Sequence, residues 1–167
     1  MPSKRRNKTL VAVLSALAAL SLVVMNRTTT FVQFTHTDWQ CISSSPVFQL
    51  QWTHSVEKEL WQESYQAINS ELLLTTTQFK TFGAGTPSST GSITHSNGWL
   101  HHRVDRLLPR IHWVVSRNVA STVLSEAGEW PIYQSVDDYA EIEIEAIQAP
   151  HWHYFIQESC DDYFKKP

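Results

Sequence analysis

From Val47 to Pro87 the chain reads VFQLQWTHSVEKELWQESYQAINSELLLTTTQFKTFGAGTP, and its opening alternates. Phe48, Leu50 and Trp52 take one parity; Gln49, Gln51 and Thr53 take the other. Period-two alternation predicts a half-buried strand. The charged pair Glu57-Lys58 interrupts it, and Trp61, Glu63, Tyr65 and Ala67 then resume it. A two-residue hairpin loop at Glu57-Lys58 sets Trp61 opposite His54 and Glu63 opposite Trp52. A second turn at Asn69-Ser70 sets Leu72 opposite Ala67, Leu74 opposite Tyr65 and Thr76 opposite Glu63. This register gathers His54, Glu63 and Thr76 on an otherwise apolar sheet face. A one-residue change in either loop would disperse them, because a register slip flips every side chain.

The N-terminus has a different pattern. MPSKRRNK precedes TLVAVLSALAALSLVVM, an apolar run of about seventeen residues. That is near the lower limit of roughly 17–25 residues for a membrane-spanning helix. A cleaved signal peptide and an uncleaved anchor both begin this way. The small-x-small set Ala16-Leu17-Ala18 lies inside the apolar run, and Asn26-Arg27 follows Met25, so the reading is an uncleaved signal anchor. The basic cluster stays in the cytoplasm, which puts the body outside. Residues 1–26 are therefore read as a transmembrane helix, 27–40 as a Thr-rich linker, 41–160 as an extracytoplasmic domain and 161–167 as a tail. Within the linker, Phe31, Val32 and Phe34 fit either a membrane-interface contact or a leading strand.

Past Pro87, SSTGSITHSNG reads as an exposed polar loop. Trp99, Leu100, Arg103, Val104, Leu107 and Leu108 fit a short helix ended by Pro109. Ile111, Trp113 and Val115 alternate, and Val119–Leu124 is β-prone, with Gly128 in the turn that follows. The clearest strand is Glu141–Ile147: Ile142, Ile144 and Ala146 on a dry face, Glu141, Glu143 and Glu145 on a wet one. Seven or eight short strands separated by turn signals predict a mainly all-β fold, an antiparallel β-sandwich or partly open barrel, carrying one N-terminal transmembrane helix.

Charge sharpens the division. Residues 1–25 hold four basic side chains and no acidic ones, while the rest carries nine basic and sixteen acidic residues, a net of −7. An acidic body argues against nucleic acid as a partner. Two cysteines, Cys41 and Cys160, bracket the predicted domain. An even count in an oxidising compartment makes them a candidate disulfide; two free thiols are the alternative.

Candidate chemistry is sparse. His54 and Ser55 are strand neighbours pointing to opposite faces, so they make no nucleophile–base pair. His54 beside Glu63 suits a general base, a pH switch, or a buried hydrogen-bonded pair that holds strand register. Gly83-Ala84-Gly85 lacks the third glycine and the helix of a dinucleotide fingerprint; its glycines suit a sharp corner. His151 and His153 share a face at strand spacing, and His101 or His112 is a conceivable third metal ligand, but no acid or cysteine stands at recognisable spacing. Arg103, Arg106, Arg110 and Arg117 make a modest basic patch. No cofactor is expected.

His54-Ser55-Val56, Glu63 after a charged turn, and Phe82-Gly83-Ala84-Gly85-x-Pro87 together resemble the signature of the bacterial domain-of-unknown-function family 1850. Thr86 stands where that family usually has an apolar residue. The resemblance implies a small membrane-anchored accessory of TAXI-type TRAP transporters, which take up organic acids. Its implied partners are the transporter's membrane subunit or its TAXI-type substrate-binding protein. Its implied place is the bacterial inner membrane, single-pass, with the C-terminal domain in the periplasm. It carries over no catalytic residues. The signature positions are His54, Ser55, Glu63, Gly83, Gly85 and Pro87. A small envelope hydrolase or metal-binding protein using His54/Glu63 or His151/His153 is the alternative.

Overall fold

The computed structural model describes residues 3–86 and 93–164. Among the described residues a helix, α1 (Ser3–Met25), precedes eleven strands: β1 (Thr28–Thr35), β2 (Gln40–Ser43), β3 (Val47–Thr53), β4 (Leu60–Ile68), β5 (Glu71–Phe79), β6 (Ile93–Ser96), β7 (Trp99–Leu108), β8 (Arg110–Val114), β9 (Thr122–Ser125), β10 (Gly128–Trp130) and β11 (Glu141–Pro150). Among the described residues no helix is long and apolar enough to cross a membrane. The strands form two antiparallel sheets, ordered β2-β1-β11-β8 and β10-β9-β3-β4-β5-β7-β6.

Each sheet buries one face against the other, as half-apolar strands require. The smaller sheet supplies Val32, Phe34, Ile142, Ile144 and Ala146; the larger supplies Phe48, Leu50, Tyr65, Leu72 and Leu74. Trp130 sits between them with its ring within 5.0–5.9 Å of Phe34, Trp39, Tyr163 and Phe164. The alternation read for β11 holds, and its wet face finds partners across the sheet. Arg110 donates to Glu143 at 2.7 Å, His112 pairs with Glu141 at 2.7 Å, and Gln33 donates to Glu145 at 2.9 Å.

Several expectations are corrected. Residues 27–40, read as a linker, contain β1, an interior strand of the smaller sheet flanked by β2 and β11. Thus Phe31, Val32 and Phe34 are sandwich residues, each almost fully buried. The segment Trp99–Pro109, read as a helix, is strand β7, paired with β5 and β6. A bulge opposite Leu74–Thr76 and a left-handed Asp105 (φ 51°) break its alternation. One extra residue in a strand turns period two into a spacing that imitates a helix. The described part of the polar loop is β6 and a two-residue hairpin, Asn97-Gly98, both at positive φ as a type I′ turn needs.

Cys41 and Cys160 form a disulfide across 119 residues. Beside it the chain after β11 runs along β2 and covers that edge. The Ile42 amide donates to the Glu158 carbonyl at 2.9 Å. Asp161 accepts from the hydroxyls of Ser43 and Ser44, both at 2.7 Å, and of Tyr154 at 3.0 Å. Burial pulls the Asp161 carboxyl up, but these hydrogen bonds to its charged form outweigh burial and hold it below the ordinary range. Residues 161–164, read as part of a tail, are packed: Tyr163 and Phe164 lie against Trp130.

Candidate functional site

The β3–β4 connection is longer than two residues. Thr53 pairs with Leu60, leaving residues 54–59 as the loop. The His54 amide donates to the Glu59 carbonyl at 2.7 Å, and Lys58 donates back to His54 at 2.9 Å. Lys58 takes the left-handed conformation that closes the turn, φ 58°. Trp52 therefore faces Trp61, and Leu50 faces Glu63: the register is displaced by two residues from the sequence reading. An even displacement preserves which face each side chain takes. The β4–β5 hairpin turns at Asn69-Ser70, with Leu72 opposite Ala67 and Leu74 opposite Tyr65, as read. A bulge at Ser64/Tyr65 then sets Thr77, not Thr76, opposite Glu63.

His54, Glu63 and Thr76 consequently do not meet. The Tyr65 hydroxyl donates to Glu63 at 2.5 Å. Burial pushes the Glu63 carboxyl above its usual range, against the opposing effects of the Tyr65 bond and the Arg106 charge. Tyr65 is pushed up by the same burial and by the carboxylate it serves.

His54 finds another carboxylate. Its Nδ1 lies against Glu57 Oε2, three residues on in the same loop, and accepts from the Val56 and Glu57 amides at 3.4 and 3.3 Å. The other oxygen of Glu57 accepts from the Ala84 amide at 3.0 Å. Beside it, the Thr81 hydroxyl donates to Glu59 at 2.7 Å. Two glutamates thus tie the β3–β4 loop to the glycine corner after β5. The Ala84 amide is the main influence holding the Glu57 carboxyl below its usual range; burial opposes it, and the loop's own amide and His54 add to it.

Both glycines have a reason here. A Cβ on Gly83 would collide with the Glu57 carboxyl group and stand 2.8 Å from its Cγ. Gly85 has φ +76°, open to glycine at no steric cost. The Thr86 amide and hydroxyl both donate to the Gly83 carbonyl, at 3.3 and 2.8 Å, closing the corner. Beneath it runs an aromatic ladder. Trp52 stacks on Trp61, Trp61 on Phe79, and Phe82 meets Phe79 edge-on, while the His54 ring lies 5.4 Å from Trp61.

Of the signature residues, His54, Gly83 and Gly85 come together. Ser55 is exposed on the loop, Glu63 lies apart on β4, and Pro87 lies outside the described residues. The joining residue is Glu57, read in the sequence only as a turn residue. Its signal was the pair of carboxylates in His54-Ser55-Val56-Glu57-Lys58-Glu59. His151 and His153 sit in a 3-10 helix, His151–Phe155, not on a strand. Among the described residues no three His, Cys, Asp or Glu side chains gather as metal ligands would. The four arginines have separate partners: Arg103 pairs with Asp105, Arg110 with Glu143, and Arg117 donates to the Val136 carbonyl, while Arg106 acts on Glu63.

A second feature had no sequence signal. An open groove of about 700 Å³ crosses the outer face of the larger sheet, lined by Thr75, Thr76, Gln78, Thr94, His101 and Arg103 among others. Its lining offers hydrogen bonds without a concentrated charge. The space between the loop and the glycine corner is closed, about 10 Å³. The corner is therefore a brace rather than a pocket.

Coupling across this brace is measurable. Gly83→Ala is expected to push the Glu57 carboxyl aside and to cost about the hydrogen bond it takes from Ala84, ~0.5–1.5 kcal/mol. In a Glu57→Ala background the same change should cost much less, because the collision partner is gone. Urea denaturation of the four proteins checks it; equal costs in both backgrounds would dissociate Gly83 from Glu57. The pH dependence has a definite sign. A carboxyl whose folded pKa is depressed stabilises above its ordinary pKa of 4.5 and loses that contribution as pH falls below it. Glu57→Gln should flatten this part of the acid profile.

No curated protein and no solved structure matches the chain. The sequence profile described as Domain of unknown function (DUF1850) matches residues 48–132, which runs from β3 through the whole of the larger sheet and includes the loop, the brace and the groove. By that match over half its length, the chain belongs to the DUF1850 family.

Proposed function

We propose that this chain is an extracytoplasmic docking module held at the outer face of the bacterial inner membrane by α1. The observation that carries the reading is the exposure of α1. Leu10, Val11, Leu14, Leu17, Leu20, Leu22 and Val23 are all more than half exposed, on every side of the helix, while the sandwich has a core of its own. An all-round apolar helix outside a core requires an apolar surrounding. Residues 10–25 span about 24 Å at roughly 1.5 Å per residue. The hydrocarbon layer is about 30 Å, and a short span is met by bilayer thinning and by flanking basic side chains reaching the interface. Lys8 and Arg27 flank this stretch. The disulfide suits an oxidising compartment, and the basic N-terminus suits the cytoplasmic side.

The finer reading, an accessory to a TAXI-type TRAP transporter of organic acids, rests on the family resemblance. A tether raises the effective concentration of a docking domain, so weak contacts suffice. Extraction of membranes in mild detergent and capture of the full chain should enrich the transporter's membrane subunit or its substrate-binding protein. An anchored chain that enriches neither would overturn the accessory role. Recovery of the chain in the aqueous fraction after alkaline carbonate washing would overturn the anchor itself.

A further inference from the structure

The chain leaves α1 and leaves β11 at the same end of the sandwich. Thr28, three residues beyond the end of α1, pairs with Pro150, the last residue of β11. The His151 amide donates to the Arg27 carbonyl at 3.0 Å. The 3-10 helix His151–Phe155 is in contact with α1. Backbone pairing therefore pins this short helix beside the exit of α1.

The short helix is two-sided. Tyr154 faces inward, stacked on Phe31 at 6.1 Å, with its hydroxyl donating to Asp161. A 3-10 helix has three residues per turn, so Trp152 and Phe155 lie on a common edge. That edge faces out: Trp152 is 39 % exposed, Phe155 66 % and Ile156 65 %. These side chains are held rather than loose, because Tyr154 fixes the turn from below and the Ile156 amide donates to His153 at 3.2 Å.

We propose that Trp152, Phe155 and Ile156 form an interfacial foot that rests in the headgroup region of the phospholipid leaflet from which α1 emerges. The proposal rests on α1 being seated in the bilayer. Lipid, rather than a protein partner, is the occupant because the patch is continuous with the exit of an exposed apolar helix. Tryptophan and phenylalanine beside aliphatic side chains are what the membrane–water boundary accommodates. The foot and α1 together make two attachments, which fix the tilt of the sandwich instead of leaving it to swing. They also set its direction. Asn69, in the turn just past the end of β4, accepts through its side chain from Gln148, two residues before Pro150, so the β4–β5 turn is at the membrane end. Loop 54–59, at the opposite end of β4, then points away from the lipid.

The test uses the full chain in phospholipid nanodiscs of mixed zwitterionic and anionic lipid. The native cysteines are bonded to each other, so Phe155→Cys, Ile156→Cys or, at the far end, Val56→Cys adds one labelling site. A fluorophore at each is challenged with spin labels on the headgroup. Several-fold stronger quenching at 155 and 156 than at 56 is the expected result. Vesicle flotation reads the seating of α1 separately. Flotation with equal quenching at all three positions overturns the foot and leaves the anchor standing. Failure to float overturns the anchored reading as well. Shielding of position 155 only on addition of a soluble partner would make the patch a protein interface and overturn the lipid assignment.

Discussion

A fragment confined to residues 48–132 is expected to remain unfolded, although it covers the whole matched region of the family. It contains the complete larger sheet but only one strand of the smaller one, β8. The sheet neighbour of β8 is β11, which the fragment lacks. The inner face of the larger sheet, with Phe48, Leu50, Tyr65 and Leu74, would then face water. Val32, Phe34, Ile142 and Ile144 alone, each at most 1 % exposed, represent a large loss. Burial of such side chains contributes about 1.5–3 kcal/mol each, so four contribute roughly 6–12 kcal/mol. That is comparable with the entire stability of a domain, about 5–15 kcal/mol. Circular dichroism and amide dispersion should show a fragment of residues 26–164 unfolding cooperatively and the 48–132 fragment without a transition. Cooperative unfolding of the shorter fragment would mean that the larger sheet finds another cover.

Opening the Cys41–Cys160 bridge is expected to lower stability by about 3–5 kcal/mol, the range for long loops closed in small domains. The closed loop spans 119 residues, so the unfolded chain gains much conformational freedom when the bond is lost. Both cysteines are fully buried, and the bond fastens the last packed segment to edge strand β2. The paired change Cys41→Ala with Cys160→Ala should shift the urea midpoint downwards, and a reductant should shift the wild-type chain to a similar place. If neither treatment moved the midpoint, the Asp161 hydrogen bonds and the Trp130 stack would suffice to hold that segment. Where the segment does come away, the uncovered strand edge at β2 becomes the first site of pairing between chains.

The candidate site shows where local patterning stops. Alternation assigns Phe48, Leu50, Trp52, Trp61 and Tyr65 to one face, and that assignment holds because the register error was even. Loop length does not follow from alternation. Residues 54–59 close through the His54 and Glu59 backbones, and nothing in the charged pair Glu57-Lys58 announces a six-residue loop. His54 accordingly takes Glu57, a neighbour in sequence, rather than Glu63, which a shorter loop would have brought beside it. Bulges have the same effect farther on. The extra residue near Thr75 moves Thr76 away from Glu63, and the one near Asp105 makes a strand read as a helix.

The residues alone determined the β character, the apolar N-terminal stretch, the two faces of β3, β4 and β11, and the turn at Asn69-Ser70. Each follows from forces acting over a few residues: side-chain parity, turn chemistry and continuous apolarity. Only the tertiary structure decided that 28–35 is an interior strand and that 99–108 is extended. It also decided that Glu57 reaches Ala84, that the groove lies across β5 and β7, and that the 3-10 helix His151–Phe155 stands beside α1. Those depend on which strands lie next to each other and on single-residue offsets between them. Both are set by the competition of the whole chain for one buried core.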